Sequence, residues 1–182
     1  MIVAKCSQTL ASNGKTVTRS FRISETALSA MQEESARRNV SVNTLLNQLL
    51  LSYAMYDRFL KRFQVVKLTS SSFKHLLEAA DEDQIARAGA AAGKDAPRAL
   101  ISARAGEINL EKVIDFIRDT GDYTDMFEYS EIKVGGKTTI TLSHSLGRKG
   151  SLYIERYLQS LLSSIDVSPR FSIANDSIVL HF

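Results

Sequence analysis

The segment from Lys15 to Ser24, KTVTRSFRIS, constrains the fold most, because it has the pattern of a β-strand but no adjacent strand to pair with. Helical sequence follows it at once. A lone strand is not stable, so this one needs a partner from far down the chain or from another subunit. Alternation predicts an apolar edge of Val17, Arg19, Phe21 and Ile23 and a polar face of Thr16, Thr18, Ser20, Arg22 and Ser24.

A first helix is predicted directly after this strand. Ser24 is a favourable N-cap, and Glu25 follows in the first turn, where the helix dipole favours an acid. The helix is predicted to end at about Arg38, because Asn39 is well suited to the left-handed conformation that terminates helices.

A second helix is predicted from Val42 to about Tyr56, with Ser41 as its N-cap. Its apolar face is unusually broad for so short a helix, which indicates burial on more than one side and hence a dimer core. The residues of this face are Val42, Leu45, Leu46, Leu49, Leu50 and Tyr53.

The stretch RSFRISETALSAMQEESARRNVSVNTLLNQLL resembles the ribbon-helix-helix family of prokaryotic DNA-binding proteins, the group that contains Arc, MetJ and CopG. The resemblance rests on the strand, the Ser24-Glu25 cap, the turn at residues 39–43 and the leucine-rich second helix. It covers only about residues 15–56. Asn39 stands where the family usually has glycine, a mild departure because Asn tolerates the same backbone angles.

The resemblance implies that two subunits pair their strands into a ribbon that enters the DNA major groove. Its outward positions fall on Thr18, Ser20 and Arg22, side chains that can hydrogen-bond to base edges. The alternative for Thr18, Ser20 and Arg22 is the solvent-exposed face of an ordinary strand. The alternative for Ser41 is a role as helix cap only. The predicted phosphate contacts are Lys15, Arg19, Ser41, Val42 and Asn43.

The charge of the chain is unevenly distributed. Residues 1–63 hold nine Lys or Arg against four Asp or Glu, a net charge of +5. Residues 64–182 hold fourteen against sixteen, a net charge of −2. A basic segment joined to a mildly acidic one indicates that one part meets a polyanion and the other does not.

The remainder is predicted to be an α+β domain with an antiparallel sheet. A β-like run at Gln64–Thr69 is followed by helices at Ser70–Ala80, Asp81–Ala92, Pro97–Ala105 and Asn109–Thr120, the last ended by Gly121. Gly135-Gly136 and Asn175-Asp176 mark two hairpins. The strands are predicted at Phe127–Val134, Lys137–Ser143, Phe171–Ala174 and Ser177–Phe182, with a helix at Ser151–Ile165.

One loop of this domain, from His144 to Ser151, is a candidate anion or ligand site. Two glycines and two cations precede a predicted helix N-terminus, an arrangement that can hold a phosphate or carboxylate, although no known phosphate-loop spacing is met. A flexible connector is the alternative. The residues concerned are His144, Gly147, Arg148 and Lys149.

These patterns predict four segments: a flexible arm at 1–14, a ribbon-helix-helix domain at 15–56, a helical connector at 57–64 and an α+β effector or assembly domain at 65–182. No nucleophile–base pair or metal-ligand spacing is evident, so we predict a non-enzyme without cofactor or metal. The single cysteine, Cys6, and the absence of a secretory signal favour a cytoplasmic, nucleoid-associated protein.

The predicted function is a homodimeric, sequence-specific DNA-binding transcription regulator. We predict a repressor, because ribbon-helix-helix proteins commonly repress. The predicted partner is double-stranded DNA, and no contact with a membrane is predicted. The sequence leaves open whether the second domain forms a higher oligomer. It also leaves open a small-molecule effector, which no motif supports. An antitoxin of a toxin–antitoxin pair is one alternative, although its C-terminal segment would be short and disordered. An oligomerisation module that does not bind DNA is the other.

Overall fold

The computed structural model describes residues 17–61 and 65–182. The chain divides into two compact units, residues 1–57 and 58–182, which we call the N-terminal unit and the C-terminal unit. The predicted arm at 1–14 and part of the predicted connector at 57–64 lie outside the described residues.

The N-terminal unit is built on two helices, as the sequence predicts. Helix α1 spans Glu25–Arg38, and helix α2 spans Val42–Ser52. A π-helical turn, Tyr53–Asp57, continues α2, and the chain stays helical through Arg58–Leu60, so helical residues extend past the predicted end near Tyr56 into the predicted helical connector. The two α-helices contact each other, and each has a single buried residue, Ser35 in α1 and Leu45 in α2.

The strand predicted at 15–24 is not formed in the single chain. Residues 17–24 belong to no helix or strand, and all of them are exposed. A β-strand exists only through hydrogen bonds to a neighbour, and no described strand pairs with this segment. Lys15 and Thr16 lie outside the described residues.

The C-terminal unit contains six helices among its described residues, three of them capped by side chains. Thr69 caps α4 and Asn109 caps α7, while Asp81 forms a reciprocal capping box with Gln84 at the start of α5. The helices are α3 Arg58–Leu60, α4 Ser70–Glu78, α5 Glu82–Lys94, α6 Ala96–Ala105, α7 Leu110–Tyr123 and α8 Gly147–Ser163.

The four strands form one antiparallel sheet in the order β1-β2-β4-β3. They are β1 Glu128–Val134, β2 Lys137–Ser143, β3 Arg170–Ile173 and β4 Ser177–His181. Gly135 and Gly136 both have positive φ angles, 56° and 77°, as the tight turn between β1 and β2 requires. The predicted α+β class, with an antiparallel sheet formed late in the chain, is therefore confirmed for this unit.

The core of the C-terminal unit lies between the sheet and its helices. Alternate residues of the central strands β2 and β4 are fully buried and share a cluster with residues of α7 and α8. The buried strand residues are Ile140, Leu142, Ile178 and Leu180, and the helix residues include Val113, Phe116, Ile117, Ile154, Leu158, Leu161 and Leu162.

Three local predictions for this unit are wrong. Residues 65–69 of the predicted β-like run form no strand, because their apolar side chains are exposed and no described strand pairs with them. Gly121 does not end α7, which continues to Tyr123. A Cβ on Gly121 would lie 2.9 Å from the Cβ of Tyr129, so this glycine permits α7 to approach β1 closely. Helix α8 starts at Gly147, four residues before the predicted Ser151.

Within the described part of the chain, none of the helices has both the length and the apolar character needed to cross a membrane.

Candidate nucleic-acid interface

The candidate interface begins with the exposed segment 17–24, which leads directly into α1. Ser24 has extended backbone angles, φ −67° and ψ 148°, and its hydroxyl accepts a hydrogen bond from the amide of Ala27 at 3.3 Å. This cap fixes the point at which the segment leaves the helix. Thr18, Ser20 and Arg22 are all exposed on this segment, as are the intervening Arg19 and Phe21.

The described part of the N-terminal unit has four cations, and the two on this segment differ from the other two in having no ion-pair partner. Arg37 and Arg38 at the end of α1 both bind the carboxylate of Glu34, and these hydrogen bonds lower the pKa of Glu34 to about 2. Among the described residues, Arg19 and Arg22 have no ion-pair partner. They are therefore the cations of this unit that are available to an external anion.

The turn between the helices has the predicted geometry. Asn39 adopts the left-handed conformation, with φ 54° and ψ 43°, and its amide donates to the carbonyl of Ala36. The amide of Val40 donates to the carbonyl of Ser35 at 3.0 Å. These bonds satisfy the end of α1, as expected for a helix terminated by a left-handed residue.

Ser41 lies at the N-terminus of α2, where it was predicted either to cap the helix or to contact a phosphate. Its hydroxyl oxygen accepts from the amide of Thr44 at 3.0 Å, so Ser41 is a helix cap. The amides of Val42 and Asn43 donate to no other described residue, and they point out of the helix end, where the dipole favours an anion. A phosphate at this point would therefore meet backbone amides, and it could also accept the one hydroxyl hydrogen that Ser41 and Thr44 do not use between them.

Thr44 is a member of this site that the sequence prediction missed. Its hydroxyl lies 2.8 Å from that of Ser41, and both side chains are exposed. The pattern Ser-x-x-Thr at the start of a helix is the sequence signal that identifies it, because residues three apart lie on the same face of the first turn.

Exposed apolar side chains surround the candidate interface. Leu49 on α2 is 52% exposed and Leu50 is 53% exposed, whereas Leu45 on the same helix is 2% exposed. The segment and both helices contribute to this exposed group, which we call the N-terminal apolar set. Its members are Val17, Phe21, Ile23, Leu28, Leu49, Leu50, Tyr53 and Met55.

The second candidate site, the loop at His144–Ser151, is occupied by groups of the chain itself. The amide of Gly147 at the start of α8 donates to the carboxylate of Asp176 at 2.8 Å. This hydrogen bond is the main reason that the pKa of Asp176 lies below its usual value. Asp176 therefore holds the position at the helix N-terminus that we predicted for an external anion.

The other loop residues are also engaged, with one exception. Lys149 donates to the backbone carbonyls of Glu78 and Ala80, where α4 ends, so its charge complements the negative end of that helix. Arg148 is exposed, and no ion-pair partner for it occurs in the described ranges.

His144 joins the loop to the turn between β3 and β4. Its Nδ1 accepts from the amide of Leu146 at 3.1 Å, and its Nε2 lies 3.0 Å from the hydroxyl of Ser151. That hydroxyl in turn donates to the carbonyl of Asn175 at 3.2 Å. The geometry fits a neutral ring with its proton on Nε2, and burial lowers the pKa of His144 although nearby Asp176 opposes the shift.

The predicted base-contacting residues thus lie on one exposed segment, whereas in the second loop His144, Gly147 and Lys149 are held by groups of the chain and Arg148 is exposed. Lys15, a predicted phosphate contact, lies outside the described residues. Comparisons with protein-family models, curated proteins and solved structures found no match to this chain.

Proposed function

We propose that this protein is a homodimeric, sequence-specific DNA-binding transcription regulator, most simply a repressor. The observation that carries the proposal is the alternation on segment 17–24, where exposed polar residues alternate with exposed apolar ones, except at Arg19, directly before two capped helices. Pairing of two such segments as a ribbon-helix-helix dimer would bury the apolar residues and present the polar ones to DNA.

Base recognition is assigned to Thr18, Ser20 and Arg22. Arg22 suits guanine, whose O6 and N7 atoms accept two parallel hydrogen bonds from a guanidinium group. Ser20 and Thr18 can donate or accept, and the methyl group of Thr18 fits the methyl group of thymine. Two antiparallel copies of the segment would place both sets on one ribbon face, of a width that the major groove admits.

Phosphate binding is assigned to the amides of Val42 and Asn43 and to Arg19 and Lys15. Backbone amides at a helix N-terminus bind phosphate without regard to base sequence, and so they position the ribbon instead of specifying the site. The hydroxyls of Ser41 and Thr44 share one hydrogen bond that stabilises this turn, and the second hydroxyl hydrogen of the pair is left to donate to a phosphate.

The C-terminal unit would then serve as an effector or assembly domain. A regulator of this kind would act on the nucleoid, in the cytoplasm of a prokaryotic cell. The antitoxin alternative expects a short disordered C-terminal segment, whereas most of residues 70–182 fold into helices and a sheet around a buried core. No observation favours it over the regulator.

The test is selection of bound duplexes from a random DNA pool with the full chain, followed by affinity measurements on the selected and on random DNA. We expect Arg22→Ala to cost roughly 1–3 kcal/mol on the selected site and little on random DNA, since a bidentate base contact supplies discrimination. Arg19→Ala is the matched control. It should weaken both DNAs evenly and lower the slope of log affinity against log salt by about one unit.

Two results would contradict the proposal. If random duplex DNA is not bound even at low salt, the N-terminal unit is an oligomerisation module and not a DNA-binding domain. If Arg22→Ala leaves the preference for the selected site unchanged, the ribbon does not read bases through this residue.

A further inference from the structure

The C-terminal sheet has a long edge that no described strand covers. In the order β1-β2-β4-β3, the strands β1 and β3 are at the edges. Strand β3 has four residues, whereas β1 has seven. A long regular edge presents unpaired amide and carbonyl groups and is a template for pairing with another chain.

The hydrogen-bond alternation of the sheet shows which groups of β1 face outward. Thr138 and Phe182 exchange two backbone hydrogen bonds, of 3.3 Å and 2.9 Å, so Thr138 is directed toward β4. Because bonding direction alternates along an antiparallel strand, Thr139 is directed toward its partner on β1, Ile132. By the same alternation, the backbone groups of Glu131 and Lys133 point away from the sheet.

The side chains of this edge strand are apolar at two exposed positions. Ile132 is 63% exposed and Val134 is 70% exposed, and both lie on the sheet face opposite Glu131 and Lys133. Edge strands of monomeric proteins are usually protected by charges or prolines. Strand β1 also carries three charged residues, Glu128, Glu131 and Lys133, and the last two flank Ile132 with opposite signs.

We propose that β1 pairs with β1 of a second copy of this chain, antiparallel, about a two-fold axis at Ile132. In this register, Glu131 of each copy lies opposite Lys133 of the other and exchanges backbone hydrogen bonds with it. Ile132 lies opposite Ile132 of the second copy in a non-hydrogen-bonded pair, where side chains approach most closely.

Charge selects this register over its neighbours. Moving the axis by one residue places Glu131 opposite Glu131, or Lys133 opposite Lys133, and like charges directly opposite are destabilising. The carboxylate of Glu131 is held on this face by Arg118 at 3.0 Å and by Lys133 of its own chain at 2.9 Å. In the proposed register, the two Glu131 carboxylates and the two Lys133 ammonium groups would alternate in sign around the two-fold axis.

The strand that pairs with the edge of β1 is thus β1 of a second copy of this chain. This contact is separate from the one proposed for the N-terminal unit. A chain with two different two-fold interfaces links dimers into larger assemblies. The β1 contact would connect two DNA-binding ribbons, and it does not depend on the proposed DNA-binding function.

Sedimentation equilibrium of the full chain and of two lysine variants tests the proposal. Ile132→Lys places two lysines opposite each other across the axis, and we expect it to reduce the mass to that of the assembly held by the N-terminal contact alone. Ser172→Lys, which adds the same charge to the exposed edge strand β3, is the matched control and should leave the mass unchanged. Circular dichroism should show both variants folded, because Ile132 is exposed in the single chain.

Leu49→Glu in α2 distinguishes this contact from the N-terminal one. If the β1 contact exists, this variant remains a dimer, and adding Ile132→Lys makes it a monomer. In the parent chain, the amides of Glu131 and Lys133 should exchange slowly with solvent, and Ile132→Lys should accelerate them. A monomeric Leu49→Glu variant, or a mass that Ile132→Lys does not change, would overturn the β1 contact without affecting the proposed function.

Discussion

The two units of this chain differ in how far each can bury its own apolar residues. In the C-terminal unit, Ile140 and Leu180 are fully buried between sheet and helices. In the N-terminal unit, each α-helix has one buried residue, and Leu49 is 52% exposed. Small units bury a smaller share of their surface than larger ones do, so they gain more from oligomerisation. The contrast teaches that the C-terminal unit has a complete core, whereas the described part of the N-terminal unit leaves apolar side chains exposed, which the proposed dimer would bury.

The largest expected effect comes from Leu49→Glu. In the single chain this position is exposed, so the charge costs little there, but in the proposed dimer it would be buried without a partner. The lost leucine burial alone is worth roughly 1.5–3 kcal/mol per copy. We expect loss of N-terminal dimerisation and of DNA binding, measured by sedimentation in the Ile132→Lys background and by titration with duplex DNA.

Gln48→Glu is the matched control for this variant. Gln48 is an exposed neighbour on α2 outside the predicted apolar face, and it acquires the same charge. Association should be retained in this control. Equal loss of association in both variants would mean that net charge, and not burial of Leu49, controls the contact.

We expect the next largest effect from Gly93→Ala, which should reduce the stability of the closely packed C-terminal unit. A Cβ at Gly93 would collide with the backbone carbonyl of Tyr157, because α5 and α8 pack closely here. Alanine favours a helix by about 1 kcal/mol over glycine, but overpacking against backbone costs roughly 1–3 kcal/mol or more. We therefore expect net destabilisation of the C-terminal unit in urea unfolding.

Ala91→Ser on the exposed side of α5 is the control for Gly93→Ala, because it also adds one heavy atom. Its free energy of unfolding should change by no more than about 0.5 kcal/mol. If Gly93→Ala is equally neutral, α5 and α8 do not pack as closely as the geometry requires.

Most local structure follows from the sequence, because local chemistry determines it. The caps Ser24, Ser41 and Asn109 and the turn at Gly135-Gly136 were predictable from side-chain acceptors and glycine angles. The prediction that Gly121 ends α7 is wrong, because this glycine serves tertiary packing. It allows close contact with Tyr129, a residue that no local sequence pattern connects to it.

The candidate sites show the same limit. The exposed alternation of Thr18, Ser20 and Arg22 could be read from residue spacing alone. The occupation of the second loop by Asp176 could not, because Asp176 and Gly147 are brought together only by the pairing of β2 with β4. A basic loop with glycines predicts an anion, but the sequence does not show that the anion belongs to the chain.

Two substitutions at Ser41 separate capping from phosphate binding in the N-terminal unit. Ser41→Ala removes the hydrogen bond to Thr44 and should reduce the stability of this unit by about 1 kcal/mol. Ser41→Asp keeps a capping oxygen but adds a negative charge beside the Val42 and Asn43 amides. We expect the aspartate variant to dimerise normally and to bind both selected and random DNA more weakly, as measured by fluorescence anisotropy.

The smallest expected effect is a pH dependence of the C-terminal unit through His144. Burial lowers its pKa in the folded state, so below pH 6.5 the unfolded chain takes up a proton that the folded chain excludes. The free energy of unfolding should therefore be highest above pH 6.5 and fall as the pH drops below it. Asp176 does not contribute in this window, because its pKa is lowered from 3.8.

His144→Asn isolates this contribution, because asparagine retains an acceptor for the Leu146 amide but does not titrate. The variant should show a flatter dependence on pH between 6.5 and about 5 in urea unfolding. An unchanged slope would mean that another group causes the dependence.

Amide hydrogen exchange of residues 18–23 in the full chain tests most directly whether the N-terminal unit is completed by a second copy. In the single chain these residues belong to no strand, so their amides gain protection only when two segments pair. We expect slow exchange at high protein concentration, faster exchange on dilution and fast exchange in Leu49→Glu, with β2 and β4 protected throughout as an internal reference. Fast exchange of residues 18–23 at every concentration, with the sheet still protected, would contradict the ribbon.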